Sequence, residues 1–466
     1  MVYPDSYRMA SPAALKRKTV FWQGLTIVLL LAGYSGYYLC RSNFSVVLPL
    51  LIGELAKRGI PTDTAKIQLG AIASWGVLAY AIGKFPSGSL ADFRGGRRSF
   101  LSGMAGAILF TLLFALGGGI PVFTLAWIGN RMVQSLGWAG MVKICSRWFS
   151  FSAYGTVMGL ISLSFLFGDA AARQFMSILL GNGLGWRGIF FACAAVLGAL
   201  LAANLVLLRE TPESRGLPEP EPNPANLFRE EGNAPKPKSF STLLKAFASS
   251  PAFLLVCLIS IGVTLVRETF NLWTPTYFSQ ALGLSNAGAA QQSALFPLLG
   301  GFSVLLAGFL SDWLGPRGRA LIILVGLMLA SGVLLTLATL KPGGSAGLRI
   351  WLVALVAFLM LGPYSYFAGA ISLDFGGKQG SATASGWIDG LGYLGGALAG
   401  GGMASISVHW GWPGAFAVLA GVAAASSAAA AVYLHWLGRS RNQERDRPAP
   451  APCDPSFSSG ESETWR

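Results

Sequence analysis

Two arginines, Arg41 and Arg267, stand inside apolar runs: YYLCRSNFSVVLPLL over 37–51 and LISIGVTLVRETFNLWTP over 258–275. A charge at the centre of a bilayer helix costs roughly 2.5–3.5 kcal/mol even on the lenient insertion scale, so each must be repaid by a partner or a ligand. A guanidinium is a planar fork that gives paired N–H donors to an oxyanion. Two forks suit a dianion such as phosphate, which has enough oxygens for both. A carboxylate has oxygens for one good fork.

Other side chains fit the same chemistry. Lys84, in AYAIGKFPSGS, lies deep in an apolar segment and would add a third, mobile positive charge. Tyr34 and Tyr38 precede Arg41 by seven and three residues, and Tyr80 precedes Lys84 by four. Helical spacing puts each phenol near its charged neighbour, where it can donate to a phosphate oxygen or line the organic end of a substrate. Asp389 and Tyr393 are one turn apart in GWIDGLGYLGG. An anionic Asp389 would disfavour substrates with a second acidic group, or it would pair with Lys84 or another basic group. Internal acids could also satisfy the arginines: Glu268 follows Arg267, and Asp169, Asp374 and Asp389 are further candidates. For Arg41 the nearest acid, Glu54, is too far along the helix. Asp169 and Arg173, four apart, are expected to neutralise each other.

These residues must be held by membrane helices. Of the 466 residues 53% are hydrophobic and 12% charged, with 60 glycines and a mean hydropathy of +0.56, far from a soluble protein of this length. The net charge of +14 resides mostly in short loops between apolar runs, which speaks for loops held inside by their charge and against nucleic acid. Apolar segments long enough to span begin near Phe21, Ile67, Phe100, Val122, Gly155, Gly188, Pro251, Ser293, Ala320, Trp351, Ala382 and Ala415. The expected architecture is therefore an all-α membrane protein of twelve transmembrane helices. A six-helix half over 1–208 is followed by a Pro-, Glu- and Lys-rich cytosolic linker over 209–249. A second six-helix half covers 250–437, and a disordered cytosolic tail covers 438–466. The bias of basic residues places both termini in the cytosol. The run after Lys16, Arg17 and Lys18 is too long for a cleaved signal and is read as the first span. Cys40, Cys145, Cys193, Cys257 and Cys453 lack metal spacing, and no nucleophile–base set or nucleotide loop is present, so neither a cofactor nor an enzyme is expected.

The halves repeat each other. RSNFSVVLP from 41 and RETFNLWTP from 267 share R-x-x-F-x-x-x-x-P, 226 positions apart, and GWRGIFF from 185 and GWPGAFA from 411 show the same offset. Arg41 and Arg267 then occupy equivalent places, and a pseudo-twofold axis would bring them face to face across a central cavity. This is the parallel repeat of major facilitator transporters, which bind substrate near the midplane. GSLADFRGGRR from 88 and GFLSDWLGPRGR from 308 also match. Asp92, Arg97, Asp312 and Arg317 are accordingly expected to form a cytosolic latch, a carboxylate facing the positive end of a helix in the opposite half.

The quoted segments together resemble the organophosphate:phosphate antiporter family of the major facilitator superfamily. The likeness extends over all twelve spans. It is carried by YYLCRSNFSVVLP with Arg41, GKFPSGSLAD with Lys84, NRMVQSLGWAG with Asn130, Gln134 and Trp138, LVRETFNLWTP with Arg267, and GLGYLGGALAG with Tyr393. The resemblance implies that Arg41 and Arg267 bind phosphate, with Trp138 and Tyr393 at the substrate, and that external organophosphate is exchanged for internal inorganic phosphate. Ser164 and Thr264 stand where glycerol-3-phosphate members carry histidine and tyrosine, which alters contacts to the non-phosphate end. The expected partners are the two exchanged substrates and a bacterial inner-membrane bilayer, with no nucleic acid, and the expected state is a monomer. Two alternatives stay open: a proton-coupled organic-anion symporter using Asp389 or Asp169, and a membrane sensor of external sugar phosphate.

Overall fold

A computed structural model describes residues 12–218, 220, 245, 247–341 and 343–445. The first half runs through α1 (Pro12–Lys57), α2 (Thr62–Arg94), α3 (Gly96–Leu116), α4 (Ile120–Trp148), α5 (Phe151–Gly181) and α6 (Trp186–Leu207). The second comprises α7 (Pro251–Leu282), α8 (Asn286–Ser293), α9 (Leu295–Thr339), α10 (Ala346–Tyr366), a π-helical stretch at Phe367–Ile371, α11 (Ser372–Leu398), α12 (Gly401–His409) and α13 (Gly411–Arg445). No strand occurs among the described residues.

Among the described residues, eleven helical segments are long and apolar enough to cross a membrane. Asn286–Leu310 and Arg317–Thr339 are two of them, so α8 and α9 together supply two spans. The twelfth expected span, α4, is a helix of 29 residues in which Asn130, Arg131 and Gln134 dilute the apolar character. It is long enough to span but less apolar than the others, because polar side chains are concentrated there and buried within the protein.

Helix association in lipid depends on close packing and small residues rather than on a hydrophobic driving force. The crossing of α2 with the α11–α12 junction shows this. A Cβ on Gly400 would lie 2.2 Å from the Gly70 carbonyl oxygen, and a Cβ on Gly70 would lie 2.9 Å from that of Gly400. Beside this crossing the Ser74 hydroxyl donates to the Ala397 carbonyl and accepts from the Gly401 N–H at 3.0 Å.

Further hydrogen bonds join the halves. Arg173 of α5 donates to the Asn271 carbonyl at 2.8 Å and to Ser293 Oγ at 3.1 Å. Gln174 donates to the Gln291 carbonyl at 3.2 Å, and Ser177 to the Ala287 carbonyl at 2.8 Å. Lys66 of α2 is buried over the Trp412 ring, 4.3 Å from its centroid. These contacts gather toward the ends of the helices remote from the two termini. The expected Asp169–Arg173 ion pair forms at 3.1 Å, and Asp169 also accepts from Ser42. The pair is thus part of the junction between halves as well as a local neutralisation.

The segments read as linker and tail lie largely outside the described residues, but their beginnings are ordered. Trp148 Nε1 donates to the Arg209 carbonyl at 3.0 Å, Lys18 donates to the Arg215 carbonyl at 2.7 Å, and a 3₁₀ turn covers Pro212–Arg215. The last helix runs past Leu437 to Arg445, so the first part of the expected disordered tail is helical.

Of the residues expected to form a latch, Arg97 and Arg317 can be placed. Arg97 donates to the Leu208 carbonyl at 2.8 Å and the Leu205 carbonyl at 2.7 Å, at the end of α6 in its own half. Gly95 turns the chain between α2 and α3 at φ 91°. The carboxylate at the start of α3 is Glu210, which accepts from Gly96 N at 2.8 Å and Arg97 N at 2.6 Å. It satisfies two of the orphan donors that every helix leaves at its N-terminus. Arg317 lies beside α13 at Gly438. The side chains of Asp92 and Asp312 lie outside the described residues.

Candidate functional site

Arg41 sits mid-way along α1 and is held by α4. Its Nε donates to Gln134 Oε1 at 2.9 Å and its Nη1 to the Tyr38 hydroxyl at 3.1 Å. Gln134 is oriented in turn, donating to Asn130 Oδ1 at 2.5 Å and to the Cys40 carbonyl at 3.1 Å. Asn130 donates to Thr111 Oγ1 at 3.0 Å. Gln134 and Asn130 are at most 1% exposed, so a buried amide relay from α3 through α4 fixes the guanidinium. Supporting shells of this kind make a binding group rigid enough to be selective.

Tyrosine faces surround the charge. The Arg41 guanidinium carbon lies 4.6 Å from the Tyr80 centroid and 4.8 Å from that of Tyr38. Tyr80 meets Tyr393 edge-on at 5.5 Å. From the other half, Arg267 lies 4.5 Å over Tyr364 and 5.9 Å from Tyr393. Lys84 stands 4.9 Å over Tyr393 and 5.3 Å over Tyr80. Each cation gains from the negative ring face, more so where water is excluded. Tyr34 and Trp138 form a layer behind, 5.6 Å apart, with Tyr34 against Tyr38 at 5.9 Å. All nine residues expected at a substrate site therefore fall in one aromatic and charged cluster at the junction of the halves.

In two places the charge pairing within that cluster takes the structural alternative that the sequence left open. Arg267 does not stand free: it is ion-paired with Glu268. Lys84 is not a loose positive charge either, because it pairs across the halves with Asp389, whose other oxygen accepts from Tyr364 at 3.4 Å. Arg41 has no carboxylate within ion-pair distance among the described residues.

Three further residues join the cluster beyond those the sequence singles out: Glu268, Tyr364 and Arg131. Glu268 was weighed only as a rival partner, and Tyr364 carried no local signal. Arg131 should have been found by the rule that singled out Arg41, since it too is a charge inside a span. It is 6% exposed, its stem packs where a Cβ on Gly76 would lie 3.0 Å from its Cγ, and its guanidinium carbon is 4.9 Å from the Tyr80 centroid.

Residues 30–400 match the family model "Major Facilitator Superfamily". This chain belongs to that superfamily. It is similar to a "Probable hexose phosphate transport protein" of Chlamydia muridarum, 28% identical over 438 residues, which covers 89% of this chain and 91% of the relative. It is also similar to the "Membrane sensor protein UhpC" of Salmonella typhimurium, 27% identical over 433 residues and covering 89% and 92% of the two chains. Among solved structures, an inward-facing, unoccupied bacterial homologue of the human lysosomal transporter Spinster shares the fold. The TM-score is 0.69 at 18% identity, over 92% of this chain and 99% of that one. The all-helical architecture and the superfamily agree, and they are those of a transporter rather than an enzyme.

Proposed function

We propose that this protein is a secondary transporter that exchanges an organophosphate for inorganic phosphate by alternating access, with the phosphoryl group bound between Arg41 and Arg267. The observation that carries this reading is the convergence of these repeat-equivalent arginines, one from each half, on a shared set of tyrosines: Tyr80 under Arg41 meets Tyr393 under Arg267. An anion with several oxygens can accept from both forks and draw the halves together. The empty carrier keeps a net positive charge in the cluster, since Arg267 and Lys84 are paired and Arg41 is not, and it reorients slowly, which favours exchange over net flux. Similarity to a protein named for hexose phosphate transport supports the substrate class.

In this proposal the halves over 1–208 and 250–437 rock as units about the cluster, joined by the 209–249 linker. A monomer holds the complete site. Both termini face the cytosol of a bacterial inner membrane, as the basic loops favour. The carboxylates that a proton-coupled symporter would titrate, Asp389 and Asp169, are already engaged by Lys84 and Arg173, which weighs against that alternative.

The test is exchange in proteoliposomes loaded with labelled phosphate. Efflux should start when phosphate or hexose phosphate is added outside and should be absent into substrate-free buffer. Efflux into substrate-free buffer driven by a pH gradient would establish a symporter. Saturable phosphate binding without exchange would establish the sensor reading, which the likeness to a protein named as a membrane sensor keeps in play.

A further inference from the structure

Charge accounting in the central cluster leads beyond the two repeat-equivalent arginines. Its cations are Arg41, Lys84, Arg131 and Arg267, and its carboxylates among the described residues are Glu268 and Asp389. Glu268 is taken by Arg267 and Asp389 by Lys84. Among the described residues, the cations without a carboxylate in ion-pair contact are therefore Arg41 and Arg131, the latter facing Glu268 only at longer range, and both lie against one ring, 4.6 Å and 4.9 Å from the Tyr80 centroid. Both belong to the first half, on α1 and α4.

Arg131 is also incompletely bonded. Its Nη1 is buried and has no hydrogen-bond partner, although the side chain is 6% exposed. An unpaired buried donor on a charged group is costly, and two guanidiniums on one ring repel in a medium of low dielectric. Arg41 is already held by Gln134 and Tyr38, which fixes its orientation and leaves its charge unmet. Arg267 contributes a second open donor, its buried Nε, but its charge is met by Glu268. A ligand that repairs these defects together brings two negative charges and several acceptor oxygens.

We infer that Arg131 is a substrate-binding residue that shares the phosphoryl group with Arg41. This rests on reading the cluster as a phosphate site. It adds that the charge to be neutralised sits on Arg41 and Arg131, with Arg267 supplying hydrogen bonds from the second half.

The experiment is thermal unfolding of the detergent-solubilised full chain, titrated with inorganic phosphate across a pH range that spans loss of its second proton. For the wild type, the half-maximal concentration should fall as phosphate becomes dianionic. For Arg131→Gln, it should rise about tenfold or more and lose most of that pH dependence, while the phosphate-free protein unfolds at the same or a higher temperature because a repulsive charge is gone. Arg131→Lys, which keeps the charge and loses the fork, should fall between the two and serves if the glutamine variant does not fold.

Wild-type phosphate protection and pH dependence in either variant would overturn the inference and leave the phosphate site standing. A phosphate-free Arg131→Gln protein that is less stable but is protected like the wild type would show a structural role and overturn it equally. Absence of any protection of the wild type by phosphate would overturn both the inference and the proposed site.

Discussion

Ser45 and Asn271 occupy the same place in the two repeats and touch each other: the Ser45 hydroxyl donates to the Asn271 carbonyl at 2.8 Å and to the Leu272 carbonyl at 2.7 Å. The reason lies one turn further along α7. Pro275 has no N–H, so the carbonyl four residues before it, that of Asn271, has no partner inside the helix. Arg173 takes the same oxygen at 2.8 Å. A backbone acceptor freed by a proline in the second half is thus satisfied by two side chains of the first. If the halves part at this point, as the proposed cycle requires, that carbonyl must find water instead.

Pro275→Ala returns an N–H to the helix and removes this vacancy, so the contact between halves should weaken. The carbonyl keeps a second lone pair for one of these donors, so about one hydroxyl bond of 0.5–1.5 kcal/mol is lost and the population open at this end should rise up to about tenfold. Labelling of Ser177→Cys, at a position that bonds across the same interface, should accelerate accordingly. Unchanged labelling would show that the carbonyl does not bias the equilibrium.

Arg41→Lys and Arg267→Lys each keep a positive charge and lose the fork. Phosphate exchange in proteoliposomes should fall to background in both, with insertion and unfolding temperature close to those of the wild type. Wild-type exchange by either variant would refute bidentate anchoring at that arginine.

Asp389→Asn breaks the bridge to Lys84 and releases one positive charge into the cluster. Phosphoglycerate, with its extra carboxylate, should gain against hexose phosphate or glycerol 3-phosphate as a competitor of phosphate exchange. If exchange collapses with the order of competitors unchanged, Asp389 acts only as a strut between the halves.

Glu210→Gln bears on folding alone. Glu210 accepts from two backbone donors at the start of α3, and loss of a helix cap costs about 0.5–2 kcal/mol. The charge adds an attraction to the helix dipole of about 0.3–1 kcal/mol at an exposed site. A lower unfolding temperature with unchanged half-saturation for phosphate is expected; an altered half-saturation would tie this cap to the transport cycle.

What the amino-acid sequence determined by itself was whatever depends on local composition and on repetition. Spans follow from apolar length, the two halves from the 226-residue offset, and the Asp169–Arg173 pair from an interval of four on one helix face. The equivalence of Arg41 and Arg267, and hence the location of the cluster, was legible for the same reason. The pairing of charges could be named only as one alternative among several. Lys84 and Asp389 are 305 residues apart and belong to different halves, so no interval in the chain relates them. Glu268 is adjacent to Arg267, a spacing at which helical side chains do not face each other, yet these two long side chains in the middle of α7 form an ion pair. Arg131 was visible as a charge, but its want of a partner became apparent only once every neighbouring carboxylate had been assigned in space. Ion pairing depends on which groups share a few ångströms of low-dielectric volume, and only the packing of the two halves decided that for this chain.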